Sequence, residues 1–189
     1  MNKHPLCFAY DGAKGLEAIV YLASKWPDID AFHASKAMFF AEEEHLNRYG
    51  RPITGDTLIA MPYGPVPGAM RKTIIGDTGM AGNEEEIDAA IERTGSKHRN
   101  IRAKRTPNLD LLSDSDIECL DRGLARLRDA NGRVRKFDDI SAETHRMKCY
   151  RSAVPNGIID YRDMIQDGLP NRAGLIAELE EFAAYGVLS

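Results

Sequence analysis

The sequence has little cysteine. Cys7, Cys119 and Cys149 are its only thiols, odd in number and far apart, so no disulfide framework is expected and a reducing cytoplasm fits the chain best. Long apolar runs are missing as well. The longest stretch without a charged residue, Thr57–Met70, contains Pro62, Pro65 and Pro67 and falls short of the ~20 apolar residues of a membrane-spanning helix. Lys3, Asp11, Lys14 and Glu17 leave no apolar core of the signal-peptide kind near the N-terminus, so export is not expected. Nor is positive charge in excess. Lys and Arg number 25 against 29 Asp and Glu, a formal charge of −4, which gives no general attraction to nucleic acid. A Walker loop, a GxGxxG after a strand, a G-x-S-x-G elbow and CxxC or HxxxH spacings are all absent, so nothing marks a nucleotide fold, a hydrolase or a zinc site.

The residues that are present have the balance of a soluble globular chain, 43% apolar and 29% charged over 189 residues. Apolar spacing predicts a helix over Ala13–Trp26, closed by Pro27, and a second from the N-cap Asp30 to Tyr49, closed by Gly50. The cluster Ala37–Ala41 covers most of that second helix's circumference, which predicts a central position. Thr57–Met61 reads as a short strand, Gly68–Ile75 and Glu84–Arg93 as helices, and Gly76–Gly82 as a glycine-rich connector. Asn100–Thr106 alternates like a strand and is assigned to pair with Thr57–Met61. Ser113 caps a helix running to about Asp129. The last third is read as helical pieces: Val134–Ser152 with a break near Ser141, then Tyr161–Asp167 and Asn171–Tyr185. The expected fold class is mainly α (α+β), a single compact helical domain over residues 1–189 with a small antiparallel β element.

Side chains able to do chemistry are few. Glu42 and His45 share a helix face at Glu-x-x-His spacing, but a di-iron site needs a second copy and two more carboxylates, so a polar helix face is the favoured reading and no metal or cofactor is expected. Cys149 and His145, four apart, read as packing, because nothing nearby would lower the thiol pKa. Two basic stretches remain. Residues 93–105 carry Arg93, Lys97, Arg99, Arg102, Lys104 and Arg105, and residues 122–136 carry Arg122, Arg126, Arg128, Arg133, Arg135 and Lys136. If they converge they suit a nucleic-acid-binding regulator. Few aromatics are interleaved for stacking, and carboxylates such as Glu118 lie nearby, which favours a solvated or protein-contact face.

The least ordinary segment is Gly55–Gly68. Its prolines stiffen the chain. A stiff loop bearing Met61, Tyr63 and Val66 loses little entropy on binding. Tyr63 and Val66 also suit a plug at the base of the fold, with the prolines shaping a turn, and the sequence leaves both readings open. Lys36-Ala37-Met38-Phe39-Phe40-Ala41, His45-Leu46, Tyr49-Gly50-Arg51-Pro52-Ile53-Thr54-Gly55-Asp56 and Ala60-Met61-Pro62-Tyr63-Gly64-Pro65-Val66-Pro67 together resemble the signature of the SocA-like antitoxins, or Panacea domain. Asn108–Ser113 and Ser141-x-x-Thr144-His145 resemble the family's second half, with Tyr150 where the family tends to have Trp, and the resemblance spans roughly Gly12 to Met164. It implies a bacterial or phage-borne antitoxin that neutralises a cognate protein toxin by direct contact, without enzymatic activity. In the namesake branch the antitoxin also hands its toxin to the ClpXP protease. The loop residues Met61, Tyr63, Gly64, Pro65, Val66 and Pro67 are the toxin-contact candidates, and neither a membrane nor nucleic acid is an expected partner.

Overall fold

In the structure, a computed structural model describing residues 4–77, 83–96 and 99–185, one long helix forms the axis about which the other elements pack. In chain order the elements are α1 (Gly12–Lys25), β1 (Ile29–Asp30), α2 (Ala31–Tyr49), β2 (Leu58–Met61), β3 (Gly64–Pro67), α3 (Gly68–Ile75), α4 (Glu84–Ala90), β4 (Ile91–Thr94), β5 (Asn100–Ala103), α5 (Asp114–Arg126), α6 (Phe137–Arg146), α7 (Lys148–Ser152) and α8 (Arg172–Tyr185). Single 3-10 turns lie at Leu109–Leu111 and Tyr161–Met164. The mainly helical class with a small antiparallel component is as expected.

The axis is α2. The Asp30 carboxylate accepts the His33 N–H at 2.9 Å, and Gly50 ends the helix at φ 70°, where the missing Cβ removes the left-handed penalty. Every residue from Ala34 to Glu42 is buried, so the helix is enclosed on nearly all sides. α1 and α5 are its helical neighbours. α1 is capped by Asp11, and α5 by a reciprocal Ser113–Asp116 box. α5 crosses so closely that a Cβ on Gly123 would stand 2.2 Å from the Ala37 carbonyl oxygen. Ile19, Leu22, Phe39, Phe40, Leu120 and Leu127 pack into one continuous apolar core.

The strands depart from expectation. There are two antiparallel sheets among the described residues, β1-β5-β4 and β2-β3. β5 pairs with β1 (Ile29↔Ile101) and β4 (Arg93↔Ile101), not with Thr57–Met61. The physical reason lies at the two-residue turn Pro62-Tyr63. Gly64 at φ 97° lets the chain reverse, so β2 takes the following residues as partner, Met61↔Gly64 through Leu58↔Pro67. Residues 156–159 occupy the other edge of β2: the Ala60 N–H donates to Gly157 O at 2.9 Å and Asn156 N–H to Ala60 O at 2.8 Å. Ala60 therefore faces away from β3, and Ile59 and Val66 carry the ladder between β2 and β3. Pro65 and Pro67 lie on the outward phase, where no donor is needed.

Smaller differences are local. The helix expected over Glu84–Arg93 ends at Ala90, and Ile91 begins β4. α5 ends at Arg126, and the next residues turn back so that Arg128 bridges Val134. The break expected near Ser141 falls at Met147 instead, with Ser141 inside α6. Gly76 caps α3 at φ 76°; most of the Gly76–Gly82 connector lies outside the described residues.

Candidate functional site

The turn that follows α2 is held by two side chains one helical turn apart. Glu42 accepts the backbone N–H of Ile53 at 2.7 Å, that of Thr54 at 2.9 Å and the Thr54 hydroxyl at 2.6 Å. It is wholly buried, and desolvation pushes its carboxyl pKa up against the pull of those donors. His45 Nδ1 lies 2.8 Å from Arg51 O, an acceptor only, so this nitrogen donates. Nε2 faces the Ser115 hydroxyl at 3.0 Å and Asp116 at 3.1 Å. Asp116 also pairs with Lys14 at 2.7 Å and Arg51 at 3.3 Å. Burial works to raise the Asp116 pKa, but the bonds from His45 and Lys14 outweigh it and hold the carboxyl well below the usual range. Glu42-x-x-His45 is thus spent on backbone and α5 rather than on a metal; among the described residues no group of three or more His, Cys, Asp or Glu is placed to hold one.

The same turn positions the hairpin. Gly55, at φ 69°, passes so close to the N-terminal segment that a Cβ would stand 2.7 Å from Ala9 O. Asp56 then accepts the Ala69 and Met70 N–H groups at 2.9 Å each, capping α3 from thirteen residues away. Desolvation raises its pKa to about 6. The outward Pro65 carbonyl accepts a 2.8 Å bond from Lys36 Nζ. Lys36 is fully enclosed, its ammonium 5.5 Å from the Phe32 ring centre, and burial lowers its pKa to about 7. A Cβ on Gly64 would meet Thr144 Oγ1 at 2.2 Å and Lys36 Nζ at 2.6 Å. On the other strand the Tyr150 hydroxyl donates to Met61 O at 3.0 Å. The hairpin is therefore braced by α2, α6 and α7.

Within it, Tyr63 is 61% exposed and Met61 partly exposed, whereas Gly64, Pro65, Val66 and Pro67 are buried. Of the two residues named for a plug at the base of the fold, Val66 is buried and Tyr63 is not. Met61, Tyr63 and Val66 line a cavity of about 610 Å³ bounded also by Phe32, Lys36, Arg71, Arg99 and Phe137. Its aromatic wall is continuous, with ring centres 4.1 Å apart for Phe32–Phe137 and 5.0 Å for Tyr63–Phe137. Sequence reasoning missed Phe32, Arg71, Arg99 and Phe137 as neighbours of the hairpin, because more than a hundred residues separate the first from the last. The cavity's one acidic residue, Asp30, is engaged by His33 Nδ1 at 2.6 Å.

The basic stretches are largely committed within the fold. Arg93 pairs with Asp88 at 3.1 Å, Arg102 with Asp28 and Arg105 with Glu17 at 2.5 Å. In the second stretch Arg122 pairs with Glu118 at 3.0 Å, Arg126 with Glu43 at 2.9 Å and Glu143 at 2.7 Å, and Arg135 with Glu143 at 2.7 Å. Arg128 stacks on Trp26 at 4.9 Å. Lys97 lies outside the described residues. These pairs favour the protein-facing reading over phosphate binding. Cys149 is buried, which pushes its thiol to about 12, and His145 stacks on Tyr150 at 4.5 Å, so that pair is packing.

Against known proteins, residues 35–149 match the family model described as antitoxin SocA-like, Panacea domain. The match covers more than half of the chain and takes in the Glu42–His45 clamp, the hairpin and α5. No curated protein and no solved structure matches. No helix among the described residues is long and apolar enough to cross a membrane.

Proposed function

From the premise that this chain belongs to the SocA-like (Panacea domain) antitoxin family, we propose that it neutralises a cognate protein toxin in the cytoplasm by direct contact and performs no bond-making of its own. The observation that carries this reading is the braced hairpin. Tyr63 stands 61% exposed on a turn whose flanking strands are fixed by Lys36, Thr144 and Tyr150. A rigid aromatic contact surrenders little conformational freedom on binding, and Tyr and Met are enriched at interface cores. Met61 and Tyr63 are the members of the candidate loop through which a partner makes contact, with Val66 reached through the cavity. Gly64, Pro65 and Pro67 serve by shaping the turn.

Co-expression with the product of the adjacent gene tests this. The expected result is restored growth and co-purification of the two chains; no rescue together with no complex would overturn it. Transfer of the bound toxin to ClpXP is the finer step that the family resemblance implies. Toxin half-life in cells with and without ClpX separates hand-over, where removal of ClpX prolongs it, from simple sequestration, where it does not.

A further inference from the structure

The cavity beneath Tyr63 is distinguished by charge as well as shape. Most arginines of this acidic chain are tied to carboxylates, yet Arg71 and Arg99, both on the cavity wall, have no side-chain partner among the described residues. Lys36 Nζ stands immediately behind the wall, bonded to the Pro65 carbonyl. Asp30, the one acidic residue of the wall, is turned to His33 Nδ1 at 2.6 Å, which leaves two guanidiniums against one carboxylate. The rest of the wall is apolar or aromatic: Phe32, Met61, Tyr63, Val66 and Phe137.

Resting on the antitoxin reading above, we propose that this cavity receives a segment of the bound toxin that pairs an aromatic or aliphatic side chain with an adjacent carboxylate. The apolar part enters between Phe32, Tyr63 and Phe137, and the carboxylate meets Arg71 and Arg99. Charge complementarity selects the acidic group: a chain of net charge −4 repels acidic segments in general, and here it presents two uncommitted guanidiniums, the side chain best shaped to hold a carboxylate. The rim selects a polypeptide over a free small anion. Tyr63 at 61% and Phe137 at 38% exposure leave aromatic surface open to solvent at the cavity, more than a small anion held between the arginines would cover and of the kind a protein surface covers.

The test uses the full chain, the adjacent-gene product and the aromatic sulfonate 1-anilinonaphthalene-8-sulfonate as a cavity probe. The double variant Arg71→Glu/Arg99→Glu loses no ion pair among the described residues and is expected to keep the wild-type circular dichroism spectrum. It is expected to bind the adjacent-gene product at least ~10-fold more weakly, chiefly through complementarity of charge, while Arg122→Glu, outside the cavity, changes affinity by no more than about twofold. The probe is expected to fluoresce with the wild-type protein, to lose that signal with the double variant, and to be displaced by the partner. Undiminished binding by the double variant overturns the proposal. So does retention of the probe by the preformed complex, which would make the cavity a site for a free anion. Absence of any complex with the wild-type chain overturns the antitoxin reading, and this inference with it.

Discussion

Two charged side chains on the same helix meet opposite fates. Glu42 and Lys36 lie six residues apart on α2, and both are fully buried. Glu42 is met by three donors from the Ile53-Thr54 turn; Lys36 has a single carbonyl. Burying a charge is costly unless hydrogen bonds replace the lost water, so the first site is closed and the second left incomplete. The lesson is that the family-like motif does two jobs. Its Glu42, His45 and Gly-Arg-Pro-Ile-Thr portion builds the fold, while the hairpin half borders a cavity whose Arg71 and Arg99 are uncommitted among the described residues.

Glu42→Ala should break the closed site and give the largest effect. Removing the acceptor strands two buried N–H groups and a hydroxyl, and the expected loss is about 3–5 kcal/mol, read by urea unfolding. Glu42→Gln, which keeps one acceptor oxygen, should lose clearly less. If Glu42→Ala costs under about 1 kcal/mol, the clamp is not what fixes the turn. Gly64→Ala comes next. A methyl at φ 97° would meet Thr144 and Lys36, and an expected ~2–3 kcal/mol loss, read as a fall in Tm, reflects strain at both backbone and contact. Wild-type Tm in this variant would mean the brace yields.

Lys36→Met comes last because its effect is read as a change of slope with pH, and it sharpens the contrast between the two buried charges. The Lys36 pKa is lowered by burial to about 7 in the folded chain, from 10.5 for the exposed side chain. Between those values the unfolded chain binds the extra proton, so stability rises as pH climbs from about 7 toward 10.5, by as much as ~1.4 kcal/mol per unit from this group. Unfolding measured across that range should give a flatter profile in Lys36→Met than in the wild-type chain. Identical slopes would show that Lys36 keeps its charge in the folded state.

What the sequence reveals follows how local each cause is. The caps Asp30, Gly50 and Ser113 act within one turn of their helices, and all three stand where the pattern puts them. The second hairpin strand was obscured because Pro65 and Pro67 resemble loop residues until the outward phase of β3 is known. Glu42 was legible as a polar residue on a helix face. Its partners were not, since they are backbone amides, which every residue but proline carries. The cavity depends on Phe32, Arg71, Arg99 and Phe137 meeting across tertiary structure, and no spacing rule brings them together. Of the toxin-contact candidates, exposure alone separates Tyr63 from Pro65, and exposure is a property of the folded chain.

The contact between Gly123 and Ala37 has a consequence for the cavity. Ala37 adjoins Lys36, which lines the cavity, so α5 packs against the turn of α2 that carries this part of the wall. A methyl group at 123 would act as a wedge between α5 and α2. A residue that is no part of the cavity wall would thereby reshape the cavity through the helix that carries Phe32 and Lys36.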